Sequence, residues 1–302
     1  MDAAYVRQVE LLLDVLPEIA QEKHFALKGG TAINLFYRNL PRLSVDIDLT
    51  YLPLEDRQTS LRKMQESLQA IAGRISSLMP DVRTIYRMGA SFVGKLFIER
   101  GNAVIVVEPN EIMRGVLYPT LERPLCLEAQ ERFLRTVKIQ TISWEDLYAG
   151  KICAALDRQH PRDLFDIKLL LDKEGFSSEI RQAFVVYLAS HNRSMSELLK
   201  PNFKDIKRIF DESFRGLTDF PIRLEDLLEA RETLLSKIHE GLTEEERQFL
   251  MSIKLGEPRW ELLPFEHLSK LPALQWKIMN IKKIPKEKHQ ALIKKLRVIL
   301  KL

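Results

Sequence analysis

The first half of the chain alternates between helical and strand patterns of hydrophobic residues. Residues 5–22 place apolar side chains at the spacing of an amphipathic helix, which Pro17 is expected to bend or break. Residues 24–28 predict a short strand, and a short helix is expected from Thr31 to about Tyr37. In SVDIDLTY, residues 44–51, polar and apolar positions alternate as in a half-buried strand.

Residues 55–140 continue the mixed pattern. A helix is expected over 55–79, because its apolar residues recur every three or four positions. Residues 82–108 predict two or three strands, the clearest being AVIVVE at 103–108, which ends in an acid followed by Pro109. A β-rich, turn-rich region is expected to continue to about residue 140.

From Ser143 onward the pattern is helical. Ser143 and Asp146 fit a capping box ahead of WEDLYAGKICAALDR, and Pro161 is expected to start the helix PRDLFDIKLLL. Further helices are predicted at 178–190, 196–214, 223–239, 243–254, 264–279 and 286–301. The sequence therefore predicts an α+β protein whose C-terminal region is all-α.

Composition excludes several classes of protein. The 302 residues are 45% hydrophobic and 29% charged, which is enough apolar material for a core in two domains, or in one domain with an extension. Two cysteines, Cys126 and Cys153, make no disulfide framework, and the six histidines lack zinc-ligand spacing. With no signal-peptide pattern and no apolar run of about 18 residues, a cytoplasmic protein without membrane contact is expected. The net charge of +4 hints at an anionic partner.

Two aspartates share one face of the strand at 44–51. Asp46 and Asp48 lie two positions apart and therefore point away from Val45, Ile47 and Leu49. Two carboxylates held so close repel each other by roughly 2–4 kcal/mol at an effective dielectric near 20. A divalent cation such as Mg²⁺, which prefers carboxylates together with waters and phosphates, would remove that cost. The alternative is an acidic strand face that is simply solvated.

A glycine pair precedes this strand. Gly29 and Gly30 lie between a predicted strand and a predicted helix, and Thr31 adds a hydroxyl. Glycine allows backbone to approach a phosphate closely, and a helix N-terminus offers free N–H groups. Taken alone, the same residues also fit an ordinary tight turn.

Together these motifs resemble a known family. G-G-T followed by a strand with D-x-D resembles the nucleotidyltransferase superfamily that includes DNA polymerase beta. LKGGTAINLFYR, RLSVDIDL, KICAALDR and PRDLFDIKLL, in that order, resemble the AbiEii/AbiGii-type toxin family, which includes the mycobacterial MenT toxins. The resemblance implies a nucleotidyltransferase core over 1–140, with a mixed sheet flanked by helices. It also implies a helical domain over 141–302, of which 141–175 completes the active site and 176–302 binds the acceptor.

Two predicted helices carry the second set of charges. Lys151 and Arg158 are seven residues apart and share a helix face, as do Asp163 and Asp166. Taken alone, these charges favour an ordinary salt-bridge network over a functional site. The resemblance assigns catalysis to Asp46, Asp48, Lys151 and Asp166, and nucleotide binding to Gly29, Gly30, Thr31, Arg42, Ser44, Lys151, Arg158 and Asp163. It assigns two Mg²⁺ ions, or Mn²⁺ in their place, to Asp46 and Asp48, with Glu108 as the candidate third ligand.

The acceptor is indicated by the basic C-terminal residues 276–302, which fit either a solvated helix face or an RNA-binding surface. The resemblance implies transfer of a nucleotide from a nucleoside triphosphate to the 3′ end of tRNA, by a toxin restrained by an AbiEi-like antitoxin. A small-molecule acceptor, such as an aminoglycoside, or a protein hydroxyl is an alternative that keeps the chemistry. A nucleotide-binding protein without catalytic activity is an alternative of another class.

Overall fold

A computed structural model describes residues 1–88 and 93–302. The chain forms two compact units, one of Met1–Leu147 with Asp211–Pro221 and one of Tyr148–Phe210 with Ile222–Leu302. Residues 211–221 belong to the first unit, which no sequence pattern indicated. The predicted boundary at 140/141 and the roles assigned to 141–175 and 176–302 stay predictions.

Seven strands among the described residues of the first unit form one mixed sheet. They are β1 (Phe25–Lys28), β2 (Asp46–Tyr51), β3 (Arg83–Arg87), β4 (Lys95–Arg100), β5 (Ala103–Asn110), β6 (Leu121–Pro124) and β7 (Lys138–Thr141). The order is β3-β4-β5-β2-β1-β7-β6, in which β2 is parallel to β5 and β1 is parallel to β7, and the other pairs are antiparallel. The predicted mixed sheet of an α+β fold is confirmed. Residues 89–92 of the region predicted as strands lie outside the described residues.

Helices of the first unit pack against the sheet. They are α1 (Ala3–Ile19), α2 (Gly29–Ala32), α3 (Arg57–Leu78) and α4 (Leu127–Phe133). Helices α1 and α3 contact each other and the strands, and the alternate β2 side chains Ile47 and Leu49 are fully buried. Helix α1 continues past Pro17 and ends two residues later, at Ile19. Pro17 lacks an N–H group, so the helix loses one i→i−4 hydrogen bond there.

The second set of helices is α5 (Trp144–Asp157), α6 (Pro161–Lys173), α7 (Ser178–Ser190), α8 (Met195–Leu199), α9 (Lys207–Ser213), α10 (Leu224–Gly241), α11 (Glu244–Leu255), α12 (Pro272–Ile281) and α13 (Lys286–Leu300). Among the described residues, no helix is long and apolar enough to cross a membrane. At the start of α5 the Ser143 Oγ accepts the Asp146 N–H at 3.0 Å, as a helix cap requires.

Three predicted elements differ from the structure. The helix predicted over 196–214 is interrupted between α8 and α9, where Pro201 cannot continue a helix. The helix predicted over 264–279 begins only at Pro272, a proline in the first helical turn. The region predicted as β-rich up to residue 140 contains α4, whose seven residues are too few for a clear helical period.

Candidate active site

The glycine turn lies directly against the strand that carries the two aspartates. β1 ends at Lys28, and Gly29 has φ +71°, a left-handed conformation that favours glycine. A Cβ atom at Gly29 would collide with the carboxylate of Asp48. A Cβ atom at Gly30 would lie 2.7 Å from Arg42 Nη2 and 2.8 Å from Ser44 Oγ. Gly29 therefore requires glycine on two grounds, its left-handed φ and the Asp48 carboxylate beside it, whereas a side chain at Gly30 would have to displace the ends of the Arg42 and Ser44 side chains.

The helix after this turn is irregular. The short helix predicted from Thr31 to about Tyr37 is α2 followed by one turn of π-helix over Ile33–Tyr37. The Thr31 hydroxyl donates a hydrogen bond to the Asp46 carbonyl at 2.5 Å, and the Asn34 amide donates to the Gly30 carbonyl at 2.9 Å. These bonds tie the turn to the start of β2. The predicted Thr31 hydroxyl is thus engaged with backbone in the structure.

Asp46 and Asp48 lie on the same face of β2, as predicted. Asp46 is exposed and Asp48 is half-buried, whereas Ile47 between them is fully buried on the other face. Lys28 on β1 lies opposite Asp48 in the antiparallel ladder. Because side chains alternate along a strand, both carboxylates lie on the face of β2 opposite the buried Ile47, next to the glycine turn.

Glu108 lies beside Asp48 on the neighbouring strand. The parallel pairing of β2 and β5 aligns Asp48 with Glu108 and Asp46 with Val106. The Glu108 carboxylate forms an ion pair with Lys95, with 2.7 Å between Nζ and Oε2. Within the described residues, no group of three or more His, Cys, Asp or Glu side chains is arranged to hold a metal ion. The role of Glu108 as a third ligand stays a prediction.

The carboxylates nevertheless fit a Mg²⁺ ion. Mg²⁺ keeps several waters and is usually bound by one or two carboxylates together with substrate phosphates, so a site of three protein ligands is not required. Asp46 and Asp48 supply two hard oxygen donors on one face, next to a turn where backbone can approach a phosphate.

A pocket of about 270 Å³ opens beside Asp48. Its lining includes Lys28 and Lys95 as well as Asp48 and Glu108. The sequence reasoning missed both lysines. Lys28 directly precedes Gly29, so a signal was present. Lys95 carries no comparable signal, since only the pairing of β4 with β5 brings it to this pocket.

Arg42 and Ser44 lie behind the turn. Arg42 is only 2% exposed, and its Nη1 donates a hydrogen bond to the Leu43 carbonyl at 2.8 Å. Ser44 is also buried. Both side chains fill the space beside Gly30 that a Cβ atom would occupy. Their role in nucleotide binding stays a prediction.

The second unit contains a buried ion network on α5 and α6. Lys151 Nζ lies 2.8 Å from Asp163 Oδ1 and 3.0 Å from Asp166 Oδ2, and all three side chains are at least 95% buried. Arg158 Nε and Nη2 donate to the two Asp163 oxygens at 2.5 and 3.0 Å. The four residues predicted as two charged helix faces are thus brought together. Two of the three Lys151 donors are directed to carboxylates.

This network changes the titration of Asp163. Burial alone would raise the pKa of its carboxyl. The charges of Lys151 and Arg158, with their hydrogen bonds, outweigh burial and hold the pKa of Asp163 well below its usual range. Asp163 is therefore ionised at neutral pH and fixes the Lys151 ammonium in one position.

The way α6 begins fixes the positions of its two aspartates. His160 caps the helix by accepting the Arg162 N–H at 3.1 Å on its Nδ1, and Pro161 occupies the first turn. With the helix start fixed, Asp163 and Asp166 are one turn apart on the same face. The predicted helix start at Pro161 is confirmed.

A known protein family and a solved structure each resemble most of the chain. The family described as "Nucleotidyl transferase AbiEii toxin, Type IV TA system" has a sequence model that matches residues 10–280. The solved structure of MenT4, a nucleotidyltransferase toxin from Mycobacterium tuberculosis H37Rv, is similar with a TM-score of 0.62 and 13% identity. That similarity covers 98% of this chain and 96% of MenT4. No curated protein sequence matches the chain.

Proposed function

Because the chain belongs to the AbiEii nucleotidyl transferase toxin family, we propose that it transfers a nucleoside monophosphate from a nucleoside triphosphate to the 3′ end of a tRNA. The protein is a nucleotidyltransferase toxin of a toxin–antitoxin system. The proposal adds the donor, the metal dependence and the acceptor. The main structural support for this proposal is that the glycine turn leaves no room for a side chain between Gly29 and the Asp48 carboxylate.

The reaction forms a bond between the acceptor hydroxyl oxygen and the α-phosphorus, breaks the bond from that phosphorus to the departing pyrophosphate, and releases the hydroxyl proton to water. In the first unit, the backbone at Gly29 and Gly30 is assigned to the triphosphate. Asp46 and Asp48 are assigned to Mg²⁺, or Mn²⁺ in its place. When bound, the metal supplies charge neutralisation at the phosphates and activation of the attacking hydroxyl.

Lys151 is assigned to a phosphate as a fixed point charge. Its support is the network around it, since burying a lysine with two carboxylates costs desolvation that an apolar core would avoid. Asp163 and Asp166 act through Lys151 by fixing its ammonium. Arg158, whose side chain is 58% exposed, is assigned a second contact with the nucleotide.

The family's type IV toxin–antitoxin system implies an antitoxin partner, which we propose to be AbiEi-like. A tRNA acceptor places the reaction in the cytoplasm. The test incubates the full chain with Mg²⁺, deacylated tRNA and each nucleoside triphosphate in turn, labelled at the α-phosphate. Asp48→Asn and Lys151→Met are compared with Asp81→Asn, which neutralises an exposed loop carboxylate.

The expected result is label on tRNA from at least one nucleotide, retained in Asp81→Asn and lost in the other two variants. Loss of label on omitting the divalent cation is expected as well. Wild-type protein that labels a small molecule or a protein but not tRNA would overturn the acceptor. Wild-type protein that binds a triphosphate without labelling any acceptor would overturn the transfer itself.

A further inference from the structure

The positive charge of the chain is concentrated at its C-terminal end. Residues 276–302, called here the basic segment, hold nine of the 46 Lys and Arg residues and one of the 42 acidic residues. The remaining 275 residues therefore hold 37 basic and 41 acidic side chains, a net charge of −4. The overall charge of +4 is thus due entirely to the basic segment.

The cations of this segment face solvent. Helix α13 packs through Leu296 and Leu300, which are fully buried, and α12 packs through Ile281. Eight of the nine cations are exposed: Lys282, Lys283, Lys286, Lys288, Lys294, Lys295, Arg297 and Lys301. Lys277 is the ninth and donates hydrogen bonds to the carbonyls of His191 and Arg193. No salt bridge among the described residues involves any of the nine.

Large apolar side chains lie on the same surface. Trp276 and Met279 on α12 are 44% and 43% exposed. They are three residues apart and share one side of the helix, and Lys282 and Lys283 follow directly after its last residue, Ile281. An exposed indole, followed in sequence by exposed lysines that form no salt bridge, combines a flat stacking surface with phosphate-binding charge.

We propose that α12 and α13 form a surface for single-stranded RNA, in which a base stacks on Trp276 and Lys282, Lys283 and the α13 cations contact phosphates. The choice of RNA rests on the proposed function. The family match ends at residue 280, before most of these cations. An anionic membrane fits less well, since Leu296 and Leu300 of α13 are buried in the protein and Val298 is the one strongly exposed large apolar residue of that helix, whereas a membrane-bound helix presents a whole apolar face to lipid.

The test measures RNA binding without turnover. Fluorescence anisotropy follows deacylated tRNA, and a single-stranded RNA oligonucleotide, binding to the full chain without nucleoside triphosphate over a series of salt concentrations. The variants are Trp276→Ala, Trp276→Phe and the double variant Lys282→Gln/Lys283→Gln. The matched control is Lys173→Gln/Lys237→Gln, which removes two exposed charges from other helices of the same unit.

Trp276→Ala is expected to weaken binding about tenfold with an unchanged salt slope, and Trp276→Phe to restore most of the loss. The Lys282/Lys283 variant is expected to reduce the slope of log K against log salt by about 1.4–1.8, from two lost phosphate contacts. The control is expected to leave the slope unchanged. All substituted side chains are exposed, so thermal unfolding is expected to match that of the wild type.

Three outcomes overturn the surface: wild-type protein that binds neither RNA, variants that bind both as the wild type does, or a control that loses as much slope. A fourth is RNA binding unaffected by the variants while binding to phosphatidylserine-containing vesicles is lost, which would assign the surface to a membrane. If the wild type binds tRNA through these residues but never transfers label, the proposed function fails and the surface stands.

Discussion

Two features of the structure, a left-handed backbone and the nearby Asp48 carboxylate, both favour glycine at position 29. The Gly29 φ of +71° would strain any L-residue by roughly 1–2 kcal/mol, and a Cβ there would also displace the Asp48 carboxylate. Gly29→Ala is therefore expected to lower nucleotide transfer by about a hundredfold, as a small misplacement of a reacting group does. Gly101→Ala is the matched control, because Gly101 has φ +56° with open space around it. Equal loss of activity in the two variants would contradict this prediction.

Lys28 is the site residue that the sequence reasoning passed over. It lines the pocket beside Asp48 and ends the strand that leads into the glycine turn. If it binds a phosphate of the donor, Lys28→Met is expected to raise the KM for the nucleotide roughly tenfold to a hundredfold, the loss of a charged hydrogen bond, with thermal stability unchanged. Lys23→Met, an exposed lysine before the other end of β1, is expected to leave KM unchanged. Steady-state kinetics with varied nucleotide distinguishes them, and an unchanged KM in Lys28→Met refutes the role.

At the scale of elements, the sequence predicted those helices and strands that depend only on neighbouring residues. The strand with Asp46 and Asp48 follows from its two-residue period, and the start of α6 follows from Pro161. The prediction of one helix over 196–214 was wrong, although Pro201 within it indicated a break. The pairing of Lys95 with Glu108 and the burial of Arg42 against Gly30 depend on strand register and long-range packing, which no local period contains.

The pairing of α5 with α6 predicts a pH-dependent stability. The pKa of Asp163 is lower in the folded chain than in the unfolded chain, so its contribution is present above the unfolded value near 3.9. That contribution is lost as the pH falls through the folded pKa. Asp163→Asn leaves the buried Lys151 with one carboxylate and is expected to cost about 3–5 kcal/mol at pH 7.

Urea unfolding at neutral and acid pH measures this effect. Below about pH 4 the wild type is expected to lose stability more steeply than Asp163→Asn, since only the wild type has this carboxylate to protonate. Asp172→Asn on the same helix is the control, because Asp172 is half exposed and its ion pair with Lys168 contributes little. Similar pH profiles for wild type and Asp163→Asn would contradict the account.

At the scale of the whole molecule, one compact unit contains segments that are far apart in the chain. Residues 211–221 follow α5, α6, α7 and α8 in sequence but belong to the first unit. The Leu217 carbonyl accepts the Leu43 N–H at 2.7 Å, and the Thr218 hydroxyl donates to the Pro41 carbonyl at 2.8 Å. The loop before β2 is thus held by a segment more than 170 residues away in the chain.

This connection predicts which part of the chain Leu217 stabilises. Leu217 is 2% exposed, so Leu217→Ala is expected to cost about 2–5 kcal/mol as a buried large-to-small substitution. Amide hydrogen exchange is expected to rise in peptides of residues 25–51, because local opening follows the cooperative unit and not sequence distance. Leu234→Ala, at a fully buried position on α10, is expected to raise exchange in the second unit instead. If Leu217→Ala raises exchange only in flanking peptides of the second unit, residues 211–221 do not act as part of the first, and the support of the D-x-D strand must come from its local sequence.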